Sequence, residues 1–152
     1  QYHFDMVRLG IGLHGISATH ANLQPVSSFK TYISSIREVQ EGQSIGYGRK
    51  SYTTRPSRIA VIPVGYADGL NRHLSNRVGN VFVKGKRVPI IGNICMDTCM
   101  IDITGIDARE GDTVTIFGDG ATVIEMAEAL GTIPYEIMTS VSTRVKRVYT
   151  KE

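Results

Sequence analysis

The sequence predicts a mainly β domain, a barrel-like sheet with one or two short helices near the C-terminus. Three observations carry that expectation. Short runs rich in β-branched residues recur along most of the chain, with glycine or aspartate turns between them. Lys84-Gly85 separates two of these runs by two residues, the connection whose twist matches that of paired strands. A helical period with both a start and a stop signal appears late, from Thr122 to Gly131.

In chain order, Asp5 to Gly15 (DMVRLGIGLHG) reads as a strand end running into a loop punctuated by Gly10, Gly12 and Gly15. Glycine-flanked N–H groups can hold a phosphate, although this spacing is neither a Walker loop nor a dinucleotide fingerprint. Val26 to Glu41 alternates loosely around Phe29, Tyr32, Ile33, Ile36 and Val39 and reads as strand, because β-branched residues dominate and no cap precedes it. Gly42 to Gly48 is a loop in which Tyr47 stands between Gly46 and Gly48, on backbone with little packed around it. Ser57 to Gly65 reads as a central strand that ends at Pro63, where a ladder donor is lost.

Val81–Val83 and Lys86–Ile91 form the expected hairpin, and Cys99–Ile103 and Thr113–Phe117 are further strands. Thr122 with Glu125 makes a capping box, Val123, Met126, Ala127 and Leu130 share a face, and Gly131 stands at the C-cap. Pro134 suits the first position of a second short helix. Thr143 to Tyr149 alternates basic and apolar residues and reads as a last strand.

Composition narrows the function. A chain of 152 residues is one domain with room for a core, and no apolar run approaches the ~18 residues of a membrane span. The 17 basic and 14 acidic residues are scattered, which argues against a nucleic-acid face. Cys95 and Cys99 fall on one face of an extended strand, too far apart for a disulfide along it and too few for zinc, so they read as reduced thiols suited to a cytoplasm. His3, His14, His20 and His73 share no metal-binding spacing, and no nucleophile motif appears. Asp68 and Asp97, each after a strand end, could serve acid-base chemistry, but aspartates at turns are commoner.

Two stretches stand out, Val61-Ile-Pro-Val-Gly-Tyr-Ala-Asp-Gly69 and Gly92-Asn-Ile-Cys-Met-Asp97, each an apolar run broken by glycine and followed by polar residues. With RLGI at Arg8, Tyr-Gly at Tyr47, the hairpin, and the S-x-R-V segment ending at Val145, they resemble the C-terminal β domain of alanine racemases, in the same order and over nearly the whole chain.

That resemblance implies a two-domain subunit: residues 1–15 as the end of a catalytic (β/α)8 barrel and its connection, and residues 16–152 as the β domain. It implies pyridoxal 5′-phosphate as cofactor, alanine as substrate and a head-to-tail homodimer. Arg8 would donate to the pyridine nitrogen, Gly10 and Ile11 would offer backbone amides to the phosphate, and Thr143 would stand where the family often has a phosphate-touching tyrosine. Tyr47 would be one of two bases, with Met96 at the substrate carboxylate and Tyr66 and Arg72 at the substrate entrance. Arg49, Tyr52 and Thr53 fall in the neighbourhood of Tyr47. Asn93 stands where the family often carries arginine.

The other base, the lysine that anchors the cofactor, belongs to a motif that none of Lys30, Lys50, Lys84, Lys86, Lys146 and Lys151 matches. The chain therefore reads as the C-terminal piece of a longer enzyme that makes D-alanine for peptidoglycan. A racemase of serine or of several amino acids, a non-catalytic β module and a decarboxylase of the same plan are the alternatives. The last lacks its cysteine-containing glycine motif.

Overall fold

The computed structural model describes residues 4–17, 23–118 and 123–150. Nine strands, β1 Phe29–Tyr32, β2 Ser35–Val39, β3 Ser44–Ile45, β4 Ser51–Tyr52, β5 Ser57–Ile62, β6 Asn80–Val83, β7 Lys86–Ile91, β8 Cys99–Asp102 and β9 Thr113–Phe117, precede two helices, α1 Val123–Leu130 and α2 Pro134–Ser140. Seven strands form one antiparallel sheet in the order β1-β9-β6-β7-β8-β5-β2, and β3 and β4 pair separately.

The two ends of that order are consecutive in the chain. Ile33 and Ser34 alone separate β1 from β2, and they continue the ladders on both sides: Ile33 N–H donates to Asp112 O at 3.0 Å, and Ser34 N–H donates to Val61 O at 2.9 Å. Residues 29–39 are thus one bent strand whose first half pairs with β9 and whose second half pairs with β5. The bend turns the sheet into the expected barrel-like form by giving both ends of the strand order to one continuous stretch of chain.

Inside lie Ile62, Leu70, Val81, Val83, Val88, Ile90, Ile101, Ile103 and Val114, all at most 1 % exposed. Each such side chain contributes about 1.5–3 kcal/mol on leaving water. A second, smaller cluster of Ile45, Ile59 and Ile91 covers the other face of the sheet. Strand β5 is therefore packed on both faces, with Ala60 and Ile62 to the main core and Ile59 to the small one. That is why its sequence runs apolar instead of alternating. It sits between β8 and β2, one place from the end of the strand order, and stops at Ile62 as Pro63 requires.

The hairpin turn at Lys84 (φ 50°) and Gly85 (φ 72°) has the two left-handed residues of a primed turn. Helix α1 ends at Gly131 (φ 66°), where Thr132 N–H reaches back to Ala127 O at 2.9 Å. Its expected cap Thr122 lies outside the described residues, as do His3, His20 and Lys151.

Three expectations need correction. Residues 6–10 form no strand, and Ile11–His14 is a single 3-10 turn closed by Gly15 in the left-handed region. The strand expected over Val26 to Glu41 starts at Phe29 and is broken at Ile33-Ser34 by the barrel bend. Thr143 to Tyr149 is no strand: Arg147 wraps its guanidinium around the carbonyls of Val141, Ser142 and Val145, and Val148 and Tyr149 are exposed. Alternation makes a strand only where the segment pairs with a neighbour, and these residues pair with none of the nine strands.

Candidate functional site

The sequence GYADG is a turn set against a second turn. Strand β5 delivers the chain to Gly65, after which Tyr66–Asp68 makes one 3-10 turn closed by Gly69 at φ 107°. Tyr66 N–H donates to Cys95 O and Ala67 N–H to Met96 O, both at 3.0 Å. A side chain at Gly65 would overlap those same carbonyls, so only glycine lets the turns approach. Asp68 is nearly buried and its Oδ2 accepts from Gly65 N–H at 2.8 Å. Tyr66 and Met96, one on each turn, are left half exposed.

Asp68 and Asp97 do not stand free as an acid-base pair. Both bind Arg144, which places Nε 3.1 Å from Asp68 Oδ1 and Nη2 2.6 Å from Asp97 Oδ1. The hydrogen bond that Arg144 donates to Asp97, then the charge of Asp68, raises Arg144 above the ordinary arginine value. Ser142 N–H also donates to Asp68 O at 3.2 Å, so the S-x-R-V segment is stitched beside both turns, with Thr143 exposed between its two bonded neighbours.

Tyr47 is 80 % exposed, between Gly46 (φ 77°) and Gly48 (φ 80°). Its ring is free while its backbone is held. Asn93 Nδ2 donates to Tyr47 O at 2.9 Å, Asn76 Nδ2 donates to Asn93 Oδ1 at 3.1 Å, and Ser51 Oγ donates to Asn76 Oδ1 at 2.6 Å. This polar chain ties the tyrosine loop to the Gly92–Met96 segment. Arg72, exposed, opens a 3-10 turn whose Ser75 hydroxyl donates to Arg72 O and accepts from Ile94 N–H at 3.0 Å. The Tyr47, Tyr66, Arg72, Met96 and Thr143 positions are thereby fastened to one another through backbone and short side-chain bonds. Of their neighbours, Arg49 is exposed with φ 48° and Tyr52 is exposed, whereas Thr53 is buried. Thr53 Oγ1 donates to Gln40 O at 2.5 Å and latches the loop behind β3.

Arg8, Gly10 and Ile11 stand elsewhere. Among the described residues no hydrogen bond or ion pair joins them to Tyr47; Ile11 N–H instead donates to the Tyr135 hydroxyl of α2 at 3.0 Å. Gly10 lies against the same hydroxyl, where a side chain would overlap it. Arg8 is exposed. Tyr135 and Asn76 were not singled out from sequence, and Arg144 was noted only as the arginine of the S-x-R-V segment, without its partners. A tyrosine directly after Pro134 carries no local signal of its contact.

Cys99 is buried, and desolvation with the neighbouring Cys95 pushes its thiol up to about 12. That makes it a packing residue and not a nucleophile. No group of three or more His, Cys, Asp or Glu that could hold a metal occurs among the described residues, nor does a helix long and apolar enough to cross a membrane.

Comparison with known proteins agrees with this arrangement. Residues 26–149 match the family described as "Alanine racemase, C-terminal domain". The chain is 48% identical over 157 aligned positions to alanine racemase 2 of Caldanaerobacter subterraneus subsp. tengcongensis, covering 97% of this chain and 40% of that protein. The crystal structure of alanine racemase from D-cycloserine producing Streptomyces lavendulae superposes with TM-score 0.90 at 34% identity, over 99% of this chain and 42% of that one. That of alanine racemase from Bartonella henselae with covalently bound pyridoxal phosphate gives 0.87 at 36%, over 93% and 40%. The chain thus spans about two fifths of the length of the relatives it matches, and on this evidence it belongs to the family of alanine racemase C-terminal domains.

Proposed function

We propose that this chain is the C-terminal part of a pyridoxal-phosphate-dependent racemase that interconverts L- and D-alanine by a two-base mechanism, works as a cytoplasmic head-to-tail homodimer and supplies D-alanine for peptidoglycan. The observation that carries the reading is Tyr47, exposed on a loop whose backbone is fixed by Asn93, the residue three before Met96. A residue meant only for packing would not be displayed on a braced loop.

The donor chemistry present fits the cofactor. Arg8 presents an exposed guanidinium, and Ile11 N–H on the same segment is a backbone donor suited to a phosphate oxygen, held in this structure by the Tyr135 hydroxyl that also packs against Gly10. The anchoring lysine is assigned to the barrel that precedes this domain in the relatives. When bound to the amino acid, pyridoxal phosphate draws electrons from the bond to the α-hydrogen.

This chain's residues supply the rest. Arg8 has donors and no acceptor, so it offers N–H to a ring nitrogen and leaves it unprotonated. The Met96 amide orients the substrate carboxylate. The Tyr47 hydroxyl gives or takes the proton on one face of the α-carbon. To act as that base the hydroxyl needs a hydrogen-bonding partner, which this reading assigns to the barrel.

The test is the full-length enzyme, purified and assayed with both enantiomers of alanine and of serine. Racemisation of alanine with kcat/KM well above serine supports the proposal. Equal or better use of serine would move the substrate assignment, and a full-length protein that binds the cofactor but racemises neither would leave a non-catalytic module.

A further inference from the structure

The two motif turns of the site are closed by one side chain. Arg144 spans from Asp68, in the Tyr66 turn, to Asp97, which directly follows Met96. Asp68 is anchored in turn by Gly65 N–H and Ser142 N–H, and Gly65 rests against the carbonyls of Cys95 and Met96. The guanidinium thus completes a ring: Tyr66 turn, Met96 turn, S-x-R-V segment. Its nitrogens have fixed spacing in a plane, so Nε and Nη2 set the separation of the two carboxylates in a way that a single ammonium cannot.

We propose that Arg144 is a positioning residue for substrate binding: it fixes the distance between the Tyr66 and Met96 turns, and so aims the Met96 amide at the substrate carboxylate. The inference rests on the racemase reading above. Without the guanidinium, two carboxylates face each other across the gap and push the turns apart. Arg144 and Asp97 are both half exposed, so that pair adds little to folding, whereas the pair with the nearly buried Asp68 also supports the fold. The loss should therefore be read in the substrate, at temperatures well below melting. An amide that holds the carboxylate equally in ground and transition states changes KM and leaves kcat.

The test uses the full-length enzyme. Arg144→Gln and Arg144→Lys should each raise KM for alanine about tenfold, the scale of one weakened hydrogen bond, with kcat within about twofold at a temperature where each variant is fully folded. Arg144→Ala should regain affinity in non-denaturing guanidinium chloride but not in ammonium chloride at equal ionic strength. Asp97→Asn added to Arg144→Gln should recover part of the loss by removing the repulsion. If the Arg144 variants do not fold, Asp97→Asn alone, which loosens the same bridge, should raise KM in the same direction by a smaller factor. Unchanged KM in all variants, or a fall in kcat that tracks melting temperature, overturns the inference while the racemase reading stands. A parent enzyme without racemase activity overturns both.

Discussion

On the racemase reading, single residues carry the chemistry of this site, and Tyr47 is the sharpest case. Tyr47→Phe in the full-length enzyme keeps the ring and removes the hydroxyl, so racemisation should fall by about 10²–10⁴ in both directions. Solvent deuterium exchange should persist for the enantiomer whose proton faces the other base. Near-parental racemisation would make Tyr47 an ordinary loop residue. Asn93 offers a subtler test, because it holds only the backbone of that loop. Asn93→Ala should lower kcat about tenfold, the cost of one unmade hydrogen bond, with a smaller change in KM. A change confined to KM would instead point to a role in steering the substrate. Tyr47 was legible because glycines flank it and the motif is known. Asn93 was noticed only as a departure from arginine, and its bond to the Tyr47 carbonyl spans 46 residues that no local pattern connects.

At the scale of elements, glycines at two turns do different work. Gly85 sits at φ 72° in the hairpin with open space around it, so alanine there meets only backbone strain. Gly65 has ordinary extended backbone but no room for a side chain. Gly85→Ala should cost about 1 kcal/mol and Gly65→Ala about 3 kcal/mol, read from urea unfolding midpoints. Gly65→Ala should also impair alanine binding, since it pushes directly on the Met96 carbonyl. Equal costs would mean that the two turns are not packed as the structure has them. The hairpin was readable because its geometry is decided by two adjacent residues. The bend at Ile33-Ser34 was not: an apolar run says strand, but which neighbour each half pairs with is decided by β5 and β9, far away in sequence. The tail beyond Ser142 failed for the same reason, since it had the pattern of a strand and pairs with none of the nine.

For the whole molecule, one buried carboxylate links stability to pH. Burial opposes the charge on Asp102, but the hydroxyl and N–H of Thr104 and the Arg77 guanidinium outweigh it, and the carboxyl stays below its usual range. A carboxyl held low in the folded state stabilises it above the unfolded value of about 3.9, and that contribution is lost as pH falls through the lower folded value. Asp102→Asn should therefore reduce stability near neutrality by about 1–3 kcal/mol, a gap in melting temperature that narrows below pH ~4. A gap constant from pH 3 to 7 would show that the charge is not what matters. The 152-residue chain by itself should unfold in one cooperative β-rich transition, given its continuous core, and bind pyridoxal phosphate without forming the covalent absorbance of an imine. Hairpin, helices, most strands and the identity of the motif residues were determined by the sequence itself, because propensity, turn chemistry and motif order act over a few neighbouring positions. Only the tertiary structure decided that residues 29–39 close the sheet, that Asp68 and Asp97 share Arg144 and that Tyr135 meets Ile11. Those contacts join residues up to 124 positions apart, and the free energy that selects them comes from packing and paired charges that exist only once the chain has folded.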